Sequence, residues 1–377
     1  MAEIAAQGSP AGAVPTFDQL TGSLSALGLR HEVMALEGEL RLVIVERGGR
    51  LMGPFLPDGR SVSWINPLFG DATSLGRFLE SGDWNMGGDR IWIAPEVQYL
   101  ATDRARFNET CSIPAQMDPG SWRLAAGSTS GPGARPDQWV LEHRATIEAY
   151  SLARGTKTID MRRVVERVAN PLRCLRAVDS LMAGVTFAGW RQTISISETV
   201  ADDIVSETWD VLQLPPGGAM LAPCSPRVEV SEIGGYRDPV PERAKSVLGG
   251  HVRVDITGDR QFKVGLRAAH VWGRLGYWAP LGEGRGCLLV RSFGNDPSGH
   301  YSEESFDQPG NHGNSVHLYH DDGELGGFGE LECNAPAIGG PTGRSSSVDV
   351  FTSWLYLGPA GSLREIAAHL LGIELQV

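Results

Sequence analysis

Residues 312–336, HGNSVHLYHDDGELGGFGELECNAP, carry the pattern from which the fold is read. Taken with a period of two, Val316, Leu318 and His320 fall on one face, and Ser315, His317 and Tyr319 on the other. An Asp-Asp-Gly turn and a second glycine break follow. Gly329, Leu331 and Cys333 then alternate with Glu330, Glu332 and Asn334. The stretch predicts a hairpin-like pair of strands, each with one ionisable face. Two carboxylates on one strand face, close to a histidine, suit proton transfer to and from a neutral polyol. A solvated outer face carrying charge fits the same alternation.

Strand signals recur on both sides of this hairpin. Trp139 to Ala149 alternates cleanly, and residues 158–168, 192–200, 208–214, 251–256, 262–266, 286–292 and 347–357 read the same way, parted by turns such as Pro215-Pro216-Gly217-Gly218. Helices are expected only at the ends. A Thr16/Gln19 capping box opens one that Gly28 stops, and Ser362/Glu365 opens another whose Leu363, Ile366, Ala367 and Leu370 share a face. Residues 71–90 read as loop. With no βαβ alternation and no short repeat, the prediction is an all-β fold: antiparallel sheets with short peripheral helices, one domain over 16–377 after a tail over 1–15.

Charge and cysteine content narrow the function classes. Lys plus Arg number 33 against 45 Asp plus Glu, a formal net charge of −12, and no basic run occurs. That argues against nucleic acid and anionic membrane surfaces as partners. Five widely spaced cysteines without C-x-x-C make neither a disulfide framework nor a zinc motif, and suit a reducing cytoplasm. No apolar run approaches the roughly 18 residues of a membrane span, and the N-terminus lacks a basic, then apolar, leader pattern. A cytoplasmic location is expected. No cofactor is called for: Gly87-Gly88 lacks the helix and lysine of a phosphate loop. No metal is called for either, since His317 and His320 point to opposite faces of a regular strand.

Several further residues are candidates for binding a sugar. In NMGGDRIWIAPE, Arg90, Trp92 and Glu96 offer an aromatic face for pyranose C–H groups and charged ends for hydroxyls. Trp272 and Trp278 are expected beside Trp92. Lys263 alternates with Phe262 and Val264, so it stands on the opposite face, where it suits an acidic group or an enolate. Arg291 is open to the same reading, and Asn314 begins the histidine strand. His143 sits among apolar neighbours and reads as a core histidine.

Four segments together resemble galactose-mutarotase-like proteins, in a bacterial branch of that superfamily. They are ERGGRLMGPFLPDGRSVSWINP (46–67), GGDRIWIAPE (87–96), WDVLQLPPGGAMLAP (209–223) and FGELECNAPAIGG (328–340) followed by TSWLYLG (352–358). The resemblance spans most of residues 38–375 and implies a β-supersandwich whose concave sheet binds carbohydrate, with a small-molecule saccharide as partner. In aldose 1-epimerases of this superfamily a histidine protonates the ring oxygen and a glutamate takes a proton from the anomeric hydroxyl. Glu330 or Glu332 falls where that glutamate is expected. The histidine does not carry over, because SLMAGVTFAGW (180–190) has none; His317, His270 and Lys263 are the acids available instead. The resemblance thus implies acid–base epimerisation of a sugar or uronate. A lyase or glycoside hydrolase on a modified sugar, and a non-catalytic sugar-binding protein, are the alternatives.

Overall fold

Alternating segments of this length can bury one face only by packing against another sheet, and the computed structural model shows that outcome. It describes residues 12–126 and 138–375, so most of the expected tail over 1–15 lies outside the described residues. Among these, nine strands form one antiparallel sheet. Its spatial order is His31–Ala35, Arg41–Val45, Arg50–Phe55, Asp89–Ala94, Glu207–Leu214, Gly329–Asn334, Asn314–His320, Phe262–Arg267 and Val230–Ile233. Ten strands form the second sheet, centred on Arg285–Phe293, Ser346–Pro359 and Thr186–Glu198. Side chains from both sheets, among them Ile91, Leu212, Leu331, Val264, Ile194 and Leu289, make up the largest buried cluster. The fold is a β-sandwich with short peripheral helices.

The opening stretch forms the hairpin its alternation predicts. His317 pairs with Glu332 and Tyr319 with Glu330. Val316, Leu318, Leu331 and Cys333 enter the core between the sheets. His320 goes with them: its ring stacks on Phe262 at 5.0 Å and 9°. There Nε2 accepts from Thr257 N–H at 2.9 Å, which leaves Nδ1–H to donate to the Arg260 carbonyl at 2.6 Å. His143 is a core histidine too, held between the Gln116 carbonyl and the Ser121 N–H and packed on Trp122.

The helices differ from expectation at the C-terminus and at residues 72–81, and short helical turns also form at Glu96–Tyr99, Phe107–Thr110 and Val178–Leu181. Phe17–Ala26 forms with its Thr16/Gln19 capping box intact. The C-terminal helix, however, runs Ala360–Leu371, one turn earlier than predicted, so Ser362 lies inside it and caps nothing. It docks on the outer face of the ten-stranded sheet through Leu363, Ile366 and Ala367, with Leu363 and Ile366 each contributing roughly 1.5–3 kcal/mol where fully buried. Residues 72–81, expected as loop, form a helix. Asp71 caps it through Thr73 N–H and Ser74 N–H, Leu75 and Phe78 pack inward, and Gly82 ends it in the left-handed region.

One part of the interior is charged where the alternation alone would suggest an apolar core. Asp89 and Asp210 project from the nine-stranded sheet into the core, where they meet Arg163 and Arg291 from the other sheet. Gln192 Nε2 donates to both aspartates, at 3.0 and 3.2 Å, and its Oε1 accepts from Arg163. Burial alone would raise Asp89, but Arg291 and Arg163 hold it below the ordinary carboxylate range. Asp210 is pushed well up, chiefly by burial. Arg291 is therefore no ligand-binding residue in this arrangement. It lies fully buried between the sheets, facing away from the surface on which sequence reading placed it.

Candidate functional site

The outward face of the nine-stranded sheet carries the other half of each alternation, and its central five strands place their polar residues side by side. Register sets Arg90 beside Val211, Val211 beside Glu332, Glu332 beside His317, and His317 beside Gly265. One row over, Trp92 lies beside Trp209 and Trp209 beside Asn334. On the other side Gln213, Glu330, Tyr319 and Lys263 form a third row. Over this floor lies a groove of about 220 Å³, walled by Trp84, the Glu96–Ile113 segment, Tyr236 and the Leu325–Phe328 loop.

Both cations in the groove are committed to partners. Arg90 Nη2 is 2.9 Å from Glu330, and its guanidinium lies 4.1 Å over Trp92 and 5.3 Å from Trp84. Lys263 Nζ is 2.9 Å from Glu332 and 3.4 Å from Glu96, and sits 4.6 Å over Trp209. Burial works against the charge on Lys263, yet Glu332, Glu96 and Glu303 more than offset it, so its ammonium is held more firmly than usual. Glu330 Oε1 also accepts from Gln213 Nε2 at 2.9 Å. Glu332 Oε2 accepts from Trp209 Nε1 at 2.9 Å, while its Oε1 is buried with no partner. Burial pushes the Glu332 carboxyl up to about 7; Lys263 opposes this and Glu330 and Glu96 add to it. Two carboxylates two residues apart on one strand thus stand in different surroundings. Glu330 is tied to a guanidinium, and the Glu332 carboxyl is raised by burial so that it can hold or release its proton near neutral pH.

His317 stands beside Glu332 on the same sheet face. It is buried directly across the strand pair from Glu332, and burial, reinforced by Lys263, drives its pKa well below the ordinary value. The ring is neutral, and neither nitrogen has a hydrogen-bond partner. Its strand neighbour Gly265 makes room for it. A Cβ there would lie 2.5 Å from Asn314 Nδ2 and 3.2 Å from His317 Cδ2. Asn314 therefore packs beside His317 at depth, away from the groove wall. Beyond them Glu207 anchors a fully buried, irregular strap, residues 301–305. Its Oε1 accepts from Ser302 and from Glu303 N–H, and Glu303 in turn accepts from Glu96 N–H at 2.8 Å.

The structure thus brings Arg90, Trp92, Glu96, Lys263, Glu330 and Glu332 into one groove, with His317 and Asn314 buried beside Gly265 and outside its lining. His270 is not with them. It closes the Ala268–His270 turn, where its carbonyl accepts from Ser225 N–H. Trp272 is exposed and Trp278 is buried near the C-terminal helix, so neither lines this groove. Sequence reading missed Trp84 and Trp209. Trp209 had a signal, since Trp209, Val211 and Gln213 alternate with core residues; Trp84 lies where a loop was expected.

No family model matches the chain, and no curated protein matches its sequence. Solved structures do. A galactose mutarotase related enzyme from Lactobacillus acidophilus aligns at 7% identity and TM-score 0.40, covering 87% of this chain and 97% of its own. A protein described as a mutarotase from Salmonella typhimurium aligns at 11% identity and TM-score 0.43, covering 92% and 97%. A protein described as an aldose 1-epimerase from Klebsiella pneumoniae aligns at 10% identity and TM-score 0.35, covering 89% and 82%.

Proposed function

We propose that the protein is a carbohydrate-active enzyme that interconverts sugar anomers or epimers by acid–base chemistry in this groove. The observation that carries the reading is the Glu330/Glu332 pair: two carboxyl groups on one strand with different partners, in a groove lined by Trp84, Trp92 and Trp209. Aromatic faces suit the C–H faces of a pyranose, and the carboxylates suit its hydroxyls. In mutarotation the two roles are complementary. Glu332 in its protonated form gives a proton to the ring oxygen as the bond from that oxygen to C1 breaks. Glu330 takes the proton of the anomeric hydroxyl, which becomes the carbonyl of the open-chain aldehyde. Rotation about C1–C2 and reclosure with the proton transfers reversed yield the other anomer. Neutral His317 acts as a positioning residue, packed beside Glu332.

The test is anomer interconversion followed by polarimetry or NMR across a panel of aldoses and uronates. Glu330→Gln and Glu332→Gln keep shape and most hydrogen bonds but remove proton transfer. Each should lower turnover on the order of 10²–10⁴-fold while leaving binding nearly intact. Full turnover in both variants would refute the assignment. Saccharide binding without any turnover in the unmodified protein would leave a non-catalytic binding protein as the reading.

A further inference from the structure

We infer that the groove sorts its ligands by charge, rejecting anionic sugars and favouring a sugar that bears a protonated amine. The inference rests on the carbohydrate reading above and adds the substrate class. A lysine on a sheet floor suggests, by itself, a site for a carboxylate or phosphate. The geometry removes that role. Lys263 is spent on Glu332 and Glu96, Arg90 on Glu330, and each of the two cations is 2% exposed. The carboxylates are the more accessible members, with the side chains of Glu96 and Glu330 15% and 8% exposed. Glu96 and Glu330 balance the two cations, and Glu332, whose carboxyl burial pushes up to about 7, adds a negative charge whenever it ionises, so the lining carries no spare positive charge.

The unmatched hydrogen-bonding groups point the same way. Glu332 Oε1, in the groove lining, is a buried acceptor without a donor. Buried acceptors of this kind call for a donor, which a hydroxyl or an ammonium supplies and a carboxylate or phosphate does not. Arg90 also has nitrogens without partners, Nε and Nη1, but the guanidinium that carries them lies over Trp92 and Trp84. The remaining walls favour a cation as well. Tyr236, Tyr319 and Phe328 cluster at centroid separations of 5.4 and 6.2 Å, and aromatic faces attract ammonium groups. At the lip, in the loop that carries Leu325, Asp322 and Glu324 share one arginine, Arg237. A ligand carboxylate or phosphate entering here meets carboxylates first and has no free cation to reach.

The experiment compares four ligands of one sugar configuration: the parent aldose, its 2-amino-2-deoxy form, its uronate and its 6-phosphate. Binding is read by calorimetry at pH 6.5 and low salt, in the gluco and galacto series. A unit charge about 6 Å from another, at an effective dielectric near 20, is worth on the order of tenfold to a hundredfold in affinity. The uronate and phosphate should therefore bind at least about tenfold more weakly than the parent, and the amine at least severalfold more tightly. Glu96→Gln should shrink the amine's advantage over the parent aldose. Anionic forms that bind as tightly as the parent would overturn the charge inference and leave the carbohydrate reading standing. Binding by none of the four would overturn both.

Discussion

Glu207→Gln separates the effect of a buried charge from the effect of a buried shape. In the native protein Glu207 Oε1 takes hydrogen bonds from Ser302 Oγ at 2.5 Å and Glu303 N–H at 2.8 Å, and Oε2 is buried without a partner. Glutamine keeps the accepting oxygen and places its amide where no contact is lost. Burial raises this carboxyl from 4.5 to about 7 even against those hydrogen bonds. A raised acid binds its proton more tightly in the folded than in the unfolded chain. Its stabilising contribution is therefore complete below pH 4.5 and is lost as pH rises through 7. A shift of this size corresponds to roughly 3 kcal/mol of stability lost by the native protein across that window. The glutamine variant has no proton to lose. Urea unfolding of both proteins at half-unit steps from pH 4.5 to 8 should give a stability difference that grows in favour of the variant by about 3 kcal/mol. Parallel pH profiles would refute the reasoning and show that Glu207 ionises in the fold as freely as in water.

Two further outcomes are expected. Arg291→Met removes the partner of both Asp89 and Asp210 and leaves two buried carboxylates facing one remaining guanidinium, so it should cost on the order of 3–5 kcal/mol in chemical denaturation; a loss below about 1 kcal/mol would mean the cluster is hydrated. Gly326→Ala sets a Cβ 2.2 Å from Trp64 Cζ2 at a residue with φ +138°, so it should lower stability by about 1–3 kcal/mol and weaken ligand binding by displacing the neighbouring Leu325 and Phe328; unchanged thermal unfolding and binding would contradict it.

The parts of the site that the sequence reveals are those that follow the two-residue period. Glu330 and Glu332, His317 and Lys263 all stand on the face that alternation assigns them, because their strand neighbours are plainly apolar. The same rule misleads where the core is charged. Arg291 follows Leu289 in alternation, which places it on the core face. Its charge nevertheless argued for an outward position, since an isolated guanidinium is too costly to bury, and its partners Asp89 and Asp210 lie 202 and 81 residues away. No local pattern reports a partner at that distance. His270 illustrates a different limit, for a histidine in a turn has no period to orient it. The Ala72–Ser81 helix was legible in hindsight from Asp71 and Gly82, but Gly76 in its middle weakened the signal. The buried 301–305 strap has no periodic signal at all, because its polar side chains are satisfied one by one by Glu207, Glu96 and Arg104.

The charged cluster inside the sandwich also has a directional property. Both aspartates belong to one sheet, and both arginines to the other. Two apolar surfaces can slip past each other by one pleat and find nearly equivalent contacts. Two guanidinium groups that must meet two carboxylates cannot, because every slipped alignment strands a charge in the dry interior. The cluster therefore works as a keyed joint, admitting one alignment of the two sheets. Its teeth are chain neighbours of the groove floor: Asp89 precedes Arg90, and Asp210 follows Trp209. Turning the teeth inward turns Arg90 and Trp209 outward, so the joint that aligns the sheets also aims the groove.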